Sequence, residues 1–208
     1  GPKFTFDYLS YVEFNPSNTA ASVFVYEQGG GREVYNVKYS YNTNDIFGDY
    51  WDVSYVAQVD SHNYLVATGS DSFKRTLPDG AKEYFDLAKG VGTSRIAFLT
   101  QTVDTYGNST QFHYDGHYRL SSIEDAIGQV TTLTYASTNA TNDLYYKIAT
   151  VTDPFGRFCT LEYSETEPYR LVKITDTMGI TSEFTWKTND FISSLTTPYG
   201  TTTFTNTE

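Results

Sequence analysis

The sequence predicts an all-β protein, an elongated spiral or twisted antiparallel sheet of tandem β-hairpins. Three observations predict it: a β-favouring composition, a hairpin signal that recurs five times, and a near absence of helical periodicity. Among the 208 residues are 19 Tyr and 14 Phe, with Cys and Met once each. Aromatic and β-branched residues suit a pleated, half-buried surface. The best helical window, residues 80–87, is short and aromatic, and predicts no helix.

The recurring signal starts from glycines at Gly107, Gly128, Gly156, Gly179 and Gly200, spaced by 21, 28, 23 and 21 residues. Three before each of the first four stands an acidic residue, Asp104, Asp125, Asp153 or Asp176; Thr197 takes the place in the fifth. Five before the acidic position stands Leu99, Leu120, Ile148, Leu171 or Ile192, and two before it Thr102, Ile123, Val151, Ile174 or Leu195. Three after the glycine comes a small residue: Thr110, Thr131, Cys159, Ser182 or Thr203. Five after it comes Phe112, Leu133, Leu161 or Phe184, and seven after it Tyr114, Tyr135, Tyr163 or Trp186. The fifth unit breaks this tail, with Phe204 one place early. A unit therefore has a fixed core of 16 residues, as in Leu99–Tyr114, and connections of 5, 12, 7 and 5 residues carry all the irregularity. Insertions are tolerated in such surface connections.

Each part of the unit has a physical reading. After the glycine, side chains alternate with period two, which puts the small, apolar and aromatic positions on one face. Asp-x-x-Gly reads as a tight turn, the Asp side chain capping it and the Gly supplying a positive φ. The spacing of three between the two apolar positions before the turn departs from strict alternation and predicts a β-bulge or a late strand start. A lone hairpin is marginal in water, so the units are expected to pair side by side. Residues 1–98 form a β-rich lead-in segment and residues 99–208 the tandem hairpins.

The motif Asp104-x-x-Gly107, followed by Tyr114-Asp115, Arg119-Leu120, Ile123, Asp125 and Gly128, resembles the YD or RHS repeat; Arg170-Leu171 repeats the Arg-Leu element. Upstream, Tyr39 to Asn42, Phe47 to Trp51, Ser54-Tyr55, and Leu77-Pro78-Asp79-Gly80 through Phe85 are similar to the segment that precedes the first repeats in such proteins. The resemblance implies a spiral β-sheet shell, which in bacterial toxins and cell-surface proteins encloses a toxic C-terminal segment and in teneurins serves adhesion. The Tyr-Asp pair occurs only at Tyr114-Asp115, Tyr118 fills the glycine slot before Arg119, and the self-cleaving motif of the toxin families is not found. The chain thus reads as a piece of something longer or a small open sheet, secreted or at the cell surface. Its role is expected to be non-catalytic and structural. The alternative is an adhesin or a carbohydrate- or protein-binding module that presents aromatic loops. Expected partners are other parts of the same longer protein, or a protein or glycan ligand.

The charge balance, 14 basic against 25 acidic residues for a net of −11, offers no basic patch for nucleic acid. No apolar run is long enough to cross a bilayer. Gly1-Pro2 reads as a protease-cleavage remnant. Asn108 and Asn139 head sequons, which matter only in a eukaryotic secretory setting.

No catalytic, cofactor-binding or metal-binding residue is assigned. Cys159 fills the slot that Thr or Ser fills elsewhere and reads as a small packing residue. His113 and His117 flank a turn without a third ligand, and His62 stands alone. Asn42 to Asp49 departs from calcium-loop spacing, with Ile46 at the fifth position, and reads as a turn, as does Ser70-Asp71-Ser72. Gly29-Gly30-Gly31 lacks the residues of a phosphate loop and reads as a hairpin tip. Glu162, Glu165 and Glu167 lack the apolar surroundings that separate catalytic carboxylates. The tyrosines outside the repeat, Tyr8, Tyr11, Tyr26 and Tyr35, are the better candidates for a binding face.

Overall fold

The structure, a computed structural model, describes residues 9–18, 20–27, 30–42, 50–57, 61–188 and 190–205; for residues 39–42, 50–53 and 57 the backbone alone is described. The chain divides into two compact units, Lys3–Phe112 and, apart from the first two residues, His113–Glu208. The predicted boundary at 98/99 falls inside a continuous strand, Arg95–Val103.

The N-terminal unit contains β1 (Tyr11–Phe14), β2 (Val23–Tyr26), β3 (Arg32–Asn42), β4 (Tyr50–Ala57), β5 (Tyr64–Ala67), β6 (Phe73–Thr76), β7 (Lys82–Lys89), β8 (Arg95–Val103) and the start of β9 (Ser109–Tyr114). Each strand from β1 to β8 pairs antiparallel with the next. β1 also pairs with β8, Tyr11 standing opposite both Tyr26 and Phe98. The ring therefore closes into an eight-stranded up-and-down barrel, which corrects the expectation of a spiral. Alternation explains the closure. Val12, Val25, Tyr35, Leu65, Phe85 and Leu99 lie on the inner face of six of the eight strands and are almost entirely shielded. An open sheet leaves that face wet and two edges unpaired, whereas a closed one removes both costs. Each fully buried side chain of this size contributes roughly 1.5–3 kcal/mol. β8 is long enough for two partners on one edge. Its first half pairs with β1, and Gln101–Val103 pair with β9.

The C-terminal unit is a meander of β10 (Leu120–Glu124), β11 (Val130–Tyr135), β12 (Ile148–Thr152), β13 (Phe158–Tyr163), β14 (Leu171–Thr175), β15 (Thr181–Trp186), β16 (Ile192–Thr197) and β17 (Gly200–Thr203), each antiparallel to the next. The predicted bulge is present three times. Tyr135 pairs with Ile148 and Thr134 with Thr150, leaving Ala149 extra. Val172 and Ser193 are the extra residues in the next two units. The bulge is the physical reason for the spacing of three, since it restores both apolar positions to the same face.

The repeated aromatic has a second task. The Tyr135 hydroxyl donates to the Leu120 carbonyl at 2.9 Å, the Tyr163 hydroxyl to Ile148 at 2.8 Å, and Trp186 Nε1 to Leu171 at 2.7 Å. In each case the partner is 15 residues back, at the first apolar position of the same unit, so the bond ties the end of each 16-residue core to its start. Trp replaces Tyr without loss because its indole N–H is also a donor. The long connection of residues 136–147 holds a 3-10 turn, Asp143–Tyr146, capped by the Asn142 side chain. It brings the Tyr145 ring within 4.0 Å of the Arg119 guanidinium, which also bonds the Tyr145 and Ser137 carbonyls. Tyr145 and Ile148 are the only large side chains buried in this unit among the described residues.

Candidate functional site

Three places concentrate polar or exposed apolar chemistry. Two are the opposite ends of the barrel and the third is a row of hairpin tips.

At the barrel end reached by the close of β2, β4 and β6, Arg75 is buried and faces three carboxylates. Its Nε donates to Glu83 at 2.6 Å, and its Nη1 bonds Glu27 at 2.5 Å and Glu33 at 3.4 Å. Arg75 and Glu83 are register partners across β6 and β7, which places both side chains inward. Glu33, also buried, accepts from the Tyr35 and Ser61 hydroxyls and from Asn63 Nδ2 at 3.0 Å. Burial pushes the Glu33 carboxyl up, but the bonds from Ser61, Tyr35 and Asn63 and the Arg75 charge outweigh it and hold its pKa below the usual range. Burial and the Glu33 bond raise the Tyr35 phenol far above its ordinary value. Both shifts lead away from neutral pH, and every charged member of the cluster is paired. It closes the barrel end electrostatically.

The opposite end holds a recess of about 410 Å³ whose floor is Phe14, Val23, Tyr55 and Phe73. Asp71 and Arg95 stand at its lip, Oδ2 to Nη1 at 2.6 Å. This single bond leaves Asp71 Oδ1 and Arg95 Nε shielded from water without hydrogen-bond partners. The recess matches the location of small-ligand sites in barrels of this size. Asp71 was legible only as a turn residue, because its partner is 24 residues away in sequence.

The third place is one edge of the C-terminal unit. Each turn of Asp125, Asp153 and Asp176 is built as predicted: the Asp Oδ1 accepts backbone N–H groups two and four residues on. The glycines adopt positive φ, for example +80° at Gly156. The residue before each glycine points away from the protein. Ile127 is 78% exposed, Phe155 71%, Met178 82% and Tyr199 89%. In the N-terminal unit, Tyr106 occupies the same turn position and is 90% exposed.

The residues singled out in the sequence are scattered. Cys159 is half-buried opposite Val151, in the slot assigned to it. His113 Nε2 lies 3.3 Å from Glu124 Oε2, while His117 packs edge-on against Tyr145. His62 lies in the β4–β5 connection with a φ of +58°. Glu162 lies 3.4 Å from Lys173; Glu165 and Glu167 are exposed. Gly30 and Gly31 belong to the β2–β3 turn; Gly29, Tyr8 and residues 43–49 lie outside the described residues. Among the described residues, no group of three His, Cys, Asp or Glu side chains could hold a metal ion. Of the three described tyrosines expected on a binding face, Tyr35 is not there. Tyr35 is buried inside the barrel, because its register position on β3 faces inward. Tyr11 and Tyr26 stack on each other at 4.5 Å and are half-buried.

No protein-family model and no curated protein matches the chain.

Proposed function

We propose that the chain is a non-catalytic structural segment of an RHS- or YD-repeat protein, contributing a β-sheet wall to a secreted or cell-surface molecule. The observation that carries this reading is the interlock of the C-terminal unit. The three repeats from Leu120 to Trp186 each close their own hairpin with the same 15-residue aromatic bond and each pair with the next unit over the same bulge, so every unit is self-tied and meets its neighbour in one repeated way. An arrangement that depends only on nearest neighbours extends by adding copies. The Arg75 cluster also supports a structural role, because each of its charged groups already has a partner inside the barrel.

The experiment is an internal duplication of residues 148–191, inserted between Phe191 and Ile192. A wall accepts the four additional strands: circular dichroism retains its strand signal per residue, and thermal unfolding stays cooperative at an equal or higher midpoint. Loss of strand signal per residue or a lower, broadened transition overturns the reading.

A second reading, a binding module that presents aromatic loops, is favoured by one specific observation, the exposure of Tyr106, Phe155 and Tyr199 at hairpin tips.

A further inference from the structure

Turn chemistry does not account for the tip residues. The position before the glycine tolerates most side chains, and short polar ones are common in turns. The barrel supplies an internal control. The β6–β7 turn has the same pair of backbone bonds, Leu77 N–H to Ala81 and Gly80 N–H to Leu77, yet carries Asp79 at the tip. In the C-terminal unit the same place is held by Ile127, Phe155 and Met178, Tyr199 stands in the two-residue turn between β16 and β17, and all four tips belong to alternate hairpins of one meander. They therefore share one edge of the sheet. Val130 and Phe158, also exposed, stand just behind Ile127 and Phe155 and widen the row. The five-residue turns of the opposite edge, 115–119 and 187–191, carry no exposed large apolar residue among those described.

The row has a period and a charge. Tips recur every second strand, roughly 9.5 Å apart. Polyproline II helix repeats every third residue, at about 9.3 Å, with those residues on one face. A β-strand turns residues three apart to opposite faces, and an α-helix repeats a face every seven residues, about 10.5 Å. Sheet twist of roughly 20–25° per strand limits a straight rod to two or three consecutive tips. The charge is acidic. The Asp125 and Asp176 carboxylates each use one oxygen in their own turn and have no other bonded partner among the described residues, whereas Asp153 is paired with Arg157.

We propose that this edge binds a basic, proline-rich polypeptide in polyproline II conformation, its apolar side chains at every third position seated between successive tips and its Lys or Arg side chains meeting Asp125 and Asp176. The proposal deepens the binding-module reading, and rests on it rather than on the wall. Polyproline II segments dock between exposed aromatic side chains at little entropic cost, because the ligand is already ordered before it binds.

The test is a fluorescence-anisotropy titration of the full chain with a labelled peptide of repeated Leu-Pro-Lys triplets. Two controls have similar composition: one with the same residues in scrambled spacing, and one basic amphipathic helix. Saturable binding is expected, weakened about tenfold or more by scrambling. It should weaken as much in the triple variant Ile127→Ser, Phe155→Ser, Met178→Ser, and further with added salt. Because these side chains are exposed, circular dichroism and the thermal midpoint of the variant should match the parent. Absence of binding, equal binding by the scrambled peptide, or equal binding by the variant overturns the proposal. Tip-dependent binding of the helical peptide alone overturns it too, but leaves the binding-module reading standing.

Discussion

In the barrel, Leu65, Phe85 and Leu99 are fully buried, whereas the apolar row of the repeat sheet, Leu133, Leu161 and Phe184, is half-buried. The two units use similar strands and the same short turns. They differ in what holds them. The barrel gathers its apolar side chains into one interior and seals one end with a shielded ion cluster. The repeat sheet has little interior among its described residues and relies on backbone ladders, bulges and the 15-residue aromatic reach. Loss of one buried group in the barrel therefore has no local substitute, while loss of one group in the sheet leaves the neighbouring units intact.

The largest effect should come from Arg75→Met. It leaves Glu33 and Glu83 enclosed without their cation, and breaking such a shielded network costs about 3–5 kcal/mol. Arg119→Met is the matching test in the sheet. Arg119 pairs with Asp115, but Asp115 also accepts two backbone N–H groups and retains access to water, so the loss should be smaller. Urea unfolding of both variants measures the difference, and equal losses would break the distinction drawn between the units.

Turn glycines come next. Gly156 has a φ of +80° and open space where a Cβ would stand, so Gly156→Ala meets only the backbone penalty of about 1–2 kcal/mol. Gly90, at the recess end of the barrel, has a φ of +111°, and its Cβ would lie 2.9 Å from the Ser94 carbonyl oxygen. Gly90→Ala should therefore lower the thermal midpoint more than Gly156→Ala does. The reverse order would show that the barrel loop yields more easily than its contacts indicate.

A smaller effect, dependent on pH, belongs to the aromatic reach. Tyr163→Phe removes one hydrogen bond to Ile148 and should cost about 0.5–1.5 kcal/mol at neutral pH. Burial pushes the Tyr163 phenol up to about 12. A group whose folded pKa is raised contributes stability in full below its unfolded value, roughly 10 for Tyr. That contribution is lost as the pH rises through the folded value. The gap between parent and variant should thus narrow between pH 10 and pH 12. Glu33 supplies the opposite limb: its depressed pKa stabilises above the unfolded value and fails as pH falls. Thermal midpoints across both limbs test the two signs, and a gap that widens in alkali would contradict the first.

What could be read in advance follows this division. The repeat sheet was legible because each unit restates its own pattern: the Asp-x-x-Gly turn, the alternation after it, and the spacing of three that proved to be a bulge. The barrel was not, because its closure depends on Tyr11 meeting Phe98, a pairing between distant strands with no period to announce it. Glu33, Arg75 and Glu83 stand at alternating positions that look the same in sequence whether they face water or a sealed interior. Tyr35 was misplaced for that reason. The exposed tips were visible as letters, Tyr106 to Tyr199, but a turn residue has no register to say which way it points. Their direction had to come from the positive-φ glycine beside them.

The smallest effect bears most directly on the repeat. Cys159 is half-buried, stands opposite Val151, and occupies the slot filled by Thr131 and Ser182 in neighbouring units. If the slot asks only for a small side chain that sits flat on the pleat, Cys159→Thr should change stability by no more than about 0.5 kcal/mol. The β-branched replacement also suits a strand. In the barrel the corresponding exchange, Ala97→Thr at a fully buried inward position, adds a hydroxyl and a methyl to a shielded site, and should cost about 1–3 kcal/mol. The pair separates two explanations of the repeat. A neutral Cys159→Thr beside a costly Ala97→Thr means that the sheet selects size class and face, while the barrel selects shape. A cost at Cys159 comparable to that at Ala97 means that the half-buried face of the sheet is packed as tightly as an interior, and that the units are held by side-chain fit as much as by their ladders.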